Sequence, residues 1–142
     1  MKYNAVIPEL TVSDLESSKF FYLDVIGFKL DYKRDEDKFL FISLGDVQLM
    51  VEESNGNWVT GELSYPFGRG INLQISVGDV DKIAQKLKAN KLPIYRDTFE
   101  SRYENDEEIL FEKELLVQDP DGYLLRFSER VSRLDPDSIY ES

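Results

Sequence analysis

The sequence predicts an α+β fold made of two βαβββ modules in tandem, on three observations. IPELTVSDLES (7–17) aligns without a gap with NLQISVGDVDK (72–82), Asp14 matching Asp79 at an offset of 65. Each copy reads as a short alternating strand running into a helix start. Three more strand-like segments then follow each helix. The expected organisation is a single domain of two modules, 1–64 and 67–130, with a short C-terminal tail, 131–142. The two small sheets are expected to join into one curved, cup-shaped mixed sheet with the helices on its outer face.

Taking the elements in order, Ser13 and Glu16 have capping-box spacing ahead of Leu15, Phe21, Tyr22 and Val25, and Gly27 ends that helix. FKLDYKR, KFLFISL and, after the turn Gly45-Asp46, VQLMVEE complete the first module. In the second, Asp79 is the expected N-cap for Val80, Ile83, Ala84 and Leu87. LPIYRD, EILFEKELLVQD and, after Asp121-Gly122, YLLRFSE follow. Most of the extra length of the second module lies in FESRYENDEE (99–108). This acidic stretch reads as an exposed loop, with a binding loop as the alternative.

Strand alternation assigns the faces. Leu10, Val12, Leu73, Ile75, Val77, Leu125 and Phe127 are expected in the core. Ile7, Glu9, Thr11, Asn72, Gln74, Ser76 and Arg126 fall on the opposite, largely polar face. That face is either a solvated sheet surface or the lining of a site.

Composition narrows the function classes. With 17 Lys and Arg against 28 Asp and Glu, the chain carries a net charge of −11. Such a field disfavours nucleic acid and anionic membranes and favours cationic partners, or it serves solubility alone. There is no cysteine, hence no thiol chemistry, and no histidine, the commonest transition-metal ligand and general base. No segment has the length of a signal peptide core or a membrane span, so the expected location is cytoplasmic.

IPELTVSDLESSKFFYLDVIGF, PFGRGINLQISVGDVD and FEKELLVQDPDGYLLRF resemble the vicinal oxygen chelate superfamily of glyoxalases, extradiol dioxygenases, fosfomycin-modifying enzymes and bleomycin-resistance proteins. The similarity runs to about Glu129 and is greatest to bleomycin-resistance-like proteins, through PFGRGINLQ and LLVQDPDGYLLRF. The resemblance implies a divalent metal held by His and Glu, one pair per module. Those places fall on Ile7, Asn72 and Arg126, and on or beside Met50. These residues supply an alkyl group, an amide, a guanidinium and a thioether, which is no ligand set for such an ion. No metal, no cofactor and no catalytic residue are therefore expected. Arg126 stands where the family has a glutamate, and either pairs with an interior carboxylate such as Glu9 or touches a ligand.

What remains of the family's precedents is a protein that sequesters a bleomycin-like cationic, aromatic drug in a homodimer groove without modifying it. By the resemblance, groove aromatics match Tyr32, Phe39 and Phe111, with Asp31 and Asp35 as acidic neighbours. A groove tryptophan of some drug-binding members falls on Gln74, and Trp58 is either its substitute or a packing anchor. Pro8 matches a proline at which family members send the N-terminal strand to the neighbouring chain, so residues 1–6 are expected to cross over. Two alternatives stand beside this reading. One is a lyase or dioxygenase-like enzyme with a non-standard site, Glu9 as base with Arg126 and Tyr103; the other is a domain of this fold binding an unidentified metabolite.

Overall fold

The computed structural model describes residues 1–134. The chain folds as two compact units. The first comprises Met1–Arg69 together with the turn Asp119–Tyr123, and the second Gly70–Gln118 with the described chain from Leu124 to Leu134. Each unit holds a βαβββ module, as the internal repeat predicts.

In the first unit, β1 (Glu9–Val12) leads into α1 (Leu15–Lys19), which continues through a wider π-helical stretch, Phe20–Ile26. Gly27, at φ 102°, ends it in the left-handed conformation that glycine adopts without a Cβ penalty. β2 (Lys29–Arg34), β3 (Phe39–Leu44) and β4 (Val47–Glu53) follow, in the sheet order β1-β4-β3-β2. β1 runs parallel to β4 and the other pairs are antiparallel. Leu10, Val12, Leu40, Ile42, Leu49 and Val51 alternate into the buried core of this unit.

The second unit repeats the plan. β5 (Asn72–Ser76), α2 (Val80–Ala89), β6 (Arg96–Glu104), β7 (Ile109–Gln118) and β8 (Leu124–Leu134) form a sheet of order β5-β8-β7-β6. Ile75, Leu115, Val117, Leu125 and Phe127 are buried there with Val80, Ile83, Ala84 and Leu87 of α2. Leu73 and Val77, also expected in the core, are half-buried.

The two helix starts are built alike. Asp14 caps α1 by accepting from the Ser17 amide, and Asp79 caps α2 by accepting from the Lys82 amide. A second carboxylate meets each first turn. The Leu15 amide donates to Glu53 at 3.1 Å and the Val80 amide to Glu129 at 2.9 Å. Each glutamate lies on the strand that pairs in parallel with its module's first strand, so negative charge meets the free amides of both helices.

Four expectations are corrected. The cap of α1 is Asp14 rather than Ser13, whose amide and hydroxyl instead donate to Asp121 at 3.0 and 2.5 Å. Within the expected acidic loop, residues 99–104 are strand: β6 pairs with β7 from Phe99↔Glu114 to Glu104↔Ile109. Conversely, 92–95 of the expected strand LPIYRD is not strand. Residues 131–134, assigned to a tail, are the end of β8, held by pairing with Ile109–Phe111; the rest of that tail lies outside the described residues. No helix among the described residues is long and apolar enough to cross a membrane.

Candidate functional site

Arg126 sits on β8 beside Gln74 of β5. Its guanidinium donates to Glu114 of β7 at 3.1 Å and to the Asn72 side-chain oxygen at 3.3 Å, with Tyr103 Oη at 3.5 Å. The carboxylate paired with Arg126 is therefore Glu114, not Glu9. Register explains the partner, because Glu114 and Arg126 lie near one another on adjacent antiparallel strands of the second unit. Glu114 also accepts from Ser101 Oγ at 2.6 Å and Tyr103 Oη at 2.7 Å. Burial alone would raise its pKa, but these hydrogen bonds and the Arg126 charge outweigh it and hold the carboxyl below its usual range.

This cluster tests the metal that the family resemblance implies. In the first unit, position 7 is a hydrocarbon and Met50 a thioether. In the second, the Asn72 amide oxygen already accepts from Arg126, and position 126 is itself a cation. No divalent ion fits that donor set. Among the described residues no three His, Cys, Asp or Glu side chains come together as a metal site.

The first unit presents a different chemistry. Cross-strand register places Glu9, Met50, Phe41 and Tyr32 in one row across its sheet, and Thr11, Glu52, Phe39 and Arg34 in the next. Tyr32 stacks on Phe41 with centroids 5.0 Å apart and an interplanar angle of 12°. The Arg34 guanidinium lies 3.9 Å from the Phe39 centroid, and Phe39 is only 2% exposed. Tyr32 and Phe39 are neighbours, with ring centroids 6.1 Å apart, but Phe39 is covered by the chain's own arginine. Asp31 pairs with Lys29 at 3.7 Å and Asp35 with Lys33 at 3.2 Å. Phe111 is half-buried on β7 of the second unit.

Residues 1–6, expected to leave for a neighbouring chain, lie on their own sheet. The Asn4 amide donates to Gln48, the Gln48 side chain to the Lys2 carbonyl, and Tyr3 packs edge-on against Phe41 at 5.5 Å.

Between β1 and the strap 58–69 lies a cavity of about 460 Å³, within the range of small-molecule sites. Its lining includes Glu9 and Thr11 of β1, Trp58, Phe67 and Arg69 of the strap, and Tyr123. The strap is fastened by the turn from residue 119 to 123. The Phe67 amide donates to the Asp121 carbonyl at 2.8 Å, Phe67 meets Tyr123 edge-on at 5.9 Å, and Tyr123 Oη donates to the Thr11 carbonyl at 2.8 Å. Trp58 is no packing anchor: it is 79% exposed and held at φ 59°. Glu9 is the unusual group. Its Oε1 is sealed from solvent and has no hydrogen-bond partner among the described residues. Desolvation, then the neighbouring Glu52 carboxylate, push its pKa up, against a smaller opposing pull from Arg34. Alternation placed Glu9 on the correct face; the register that brings Glu52 near it, and the roles of Thr11, Phe67 and Tyr123, were not readable.

Comparison with known proteins agrees with the topology. Residues 4–127 match the family model described as the Glyoxalase/Bleomycin resistance protein/Dioxygenase superfamily. A probable lactoylglutathione lyase from Synechocystis sp. is 27% identical over 132 residues, covering 89% of this chain and 95% of that protein. Among solved structures, a virulence protein from Salmonella typhimurium superposes with a TM-score of 0.66 at 18% identity, covering 92% of this chain and 100% of the other. A lactoylglutathione lyase from Agrobacterium tumefaciens gives 0.59 at 18% identity, covering 91% and 96%. At these identities the two structures speak for the fold alone. With the match of the family model over most of its length and two βαβββ units in its structure, the chain belongs to the glyoxalase/bleomycin resistance protein/dioxygenase superfamily.

Proposed function

We propose that the protein is a metal-independent small-molecule binder of the bleomycin-resistance type, which sequesters a cationic aromatic compound without modifying it and works as a homodimer. The observation that carries this reading is the Arg126–Glu114 pair. A guanidinium stands where the family's metal enzymes hold a glutamate ligand, and it is fixed there by a buried carboxylate at 3.1 Å. A Lewis acid cannot be held beside that charge by the residues present, so the metal-assisted chemistry of lyase relatives lacks its support here. The net charge of −11 and the Glu9–Glu52 neighbourhood favour a cation, and exposed Trp58 offers an aromatic face.

The named lyase relative supplies the competing reading, an enzyme of the same superfamily with a non-standard site. Two titrations separate them. Copper-bleomycin and metal-free bleomycin should each bind saturably and be recovered unchanged. The hemithioacetal of methylglyoxal and glutathione should not be turned over with zinc, nickel, manganese or magnesium added. Turnover above the uncatalysed rate, with no drug binding, would replace the binder by the lyase.

A further inference from the structure

We infer that the cavity beneath the strap of the first unit is a recognition site for a flat aromatic cation, with Glu9 as its anchor and Trp58 as its stacking face. The inference rests on the binding reading above but makes a narrower assignment. It gives ligand recognition to a cavity lined by the first unit of a single chain, rather than to the Tyr32, Phe39 and Phe111 set.

The first ground is an unmet chemical demand. A carboxylate oxygen sealed from water is normally hydrogen-bonded, since leaving it bare forfeits its solvation. Glu9 Oε1 is bare among the described residues, and Glu9 is one of the residues that line the cavity. The protein's own cations nearby are already committed. Arg34 lies over the Phe39 ring, and Arg69 donates to Ser64 Oγ at 3.2 Å and the Tyr65 carbonyl at 2.9 Å. What is missing is a donor from outside, and beside two carboxylates a positively charged donor is preferred to a neutral one.

The second ground is the aromatic wall. Trp58 lines the same cavity yet exposes 79% of its surface, and its backbone holds φ 59°, which a bulky side chain rarely adopts. Phe67 and Tyr123 line the same cavity. An exposed indole and a carboxylate lining one cavity suit a planar cation, stacked on the ring and donating at its charged end. Anionic metabolites are disfavoured by the same carboxylates.

Benzamidinium and its neutral isostere benzamide form the test, read by the emission of Trp58, the chain's single tryptophan. Benzamidinium should change that emission saturably at roughly millimolar concentration, as befits so small a ligand. It should bind at least about tenfold more tightly than benzamide, the scale of a hydrogen bond to a charged group. Glu9→Gln should bring the two affinities together. Trp58→Ala, at a position 79% exposed, should weaken benzamidinium binding by calorimetry. No saturable change, equal affinities in the parent, or a Glu9→Gln variant that still discriminates would overturn the assignment. Titrating Glu9→Gln with copper-bleomycin separates the two proposals. Drug binding equal to the parent, together with failure of the benzamidinium test, removes the Glu9 site and leaves sequestration standing. Glu9-dependent benzamidinium binding without drug binding does the reverse.

Discussion

The hydroxyl of Tyr22, a residue 1% exposed, donates at 2.7 Å to the carboxylate of Asp119, which is 3% exposed. Asp119 also accepts from the amides of Asp121 and Tyr123 at 3.0 and 2.9 Å, so one carboxylate organises both the helix and the turn that fastens the strap. Tyr22→Phe keeps the ring and removes the donor. It should cost about 1–3 kcal/mol of stability, the penalty for a buried group that loses a partner. Urea midpoints of the parent and the variant at equal m check it.

Burial holds the Asp119 carboxyl up at about 6, despite the hydrogen bonds that oppose the rise. Between its unfolded value of 3.8 and about 6, the folded protein keeps a proton that the unfolded chain has lost. Its contribution to stability therefore falls as pH rises through that window, by no more than about 3 kcal/mol, and is flat above it. Asp14, Glu53, Asp97 and Glu114, held low, act in the opposite sense. Asp119→Asn isolates the effect: its stability relative to the parent should climb from pH 4 to pH 6. A pH-independent difference between the two would contradict it.

Removing Arg126 strands Glu114, whose side chain is 3% exposed, with only the Ser101 and Tyr103 hydroxyls. Arg126→Leu should destabilise by about 3 kcal/mol, and Arg126→Leu with Glu114→Gln by clearly less, since no charge is then left alone. The single variant should lose less at acid pH. A carboxylate held low contributes above its unfolded pKa, and that contribution fades as pH falls through the folded value. Melting of both variants at pH 4 and pH 7 reads the sign.

Two glycines with similar backbones should respond differently. Gly27 (φ 102°) and Gly122 (φ 95°) both sit in the left-handed region, but a Cβ on Gly27 meets nothing within 4 Å. On Gly122 it would lie 2.6 Å from the Pro66 Cβ and 2.7 Å from its Cα. Gly27→Ala should cost about 1 kcal/mol, from conformation alone. Gly122→Ala should cost about 1–3 kcal/mol more, because the strap must move. It should also weaken benzamidinium binding, which Gly27→Ala leaves unchanged.

The dimer and the metal content are read together. Light scattering at micromolar concentration should give twice the 16.5 kDa chain mass. Protein purified without a histidine tag should hold no stoichiometric zinc, nickel, manganese or iron after dialysis. One mole of any of these per chain would overturn the metal-free reading, and a single-chain mass would remove the homodimer.

The repeat was legible because both modules keep the same strand-to-helix start, and Asp79 and Gly27 could be placed from local chemistry alone. Beyond Asp97, β6 was hidden because its exposed positions carry Glu100, Arg102 and Glu104, which read as loop. Its alternate positions carry Ser101 and Tyr103, polar for the reason that they serve Glu114, with Tyr103 also exposed. The identity of the partner of Arg126 depends on cross-strand register, which alternation within one strand does not carry. Ser13 was misread for a related reason: its bond to Asp121 spans a separation of 108 residues.

The turn from Asp119 to Tyr123 packs as part of the first unit, although the strands on either side of it belong to the second. Its bonds to Ser13, Tyr22 and Thr11 close sequence separations of 108, 97 and 112 residues. During synthesis, the amino-terminal half therefore leaves the ribosome without the pieces that fasten its strap and satisfy Tyr22. It has to wait for most of the chain. Loops this long close slowly, and a severed fragment ending at residue 69 would lack them permanently. The duplicated architecture is thus two modules in sequence but one cooperative folding problem. A cut between residues 69 and 70 should leave two pieces that complement each other when mixed, whereas the first piece alone should not reach its native state.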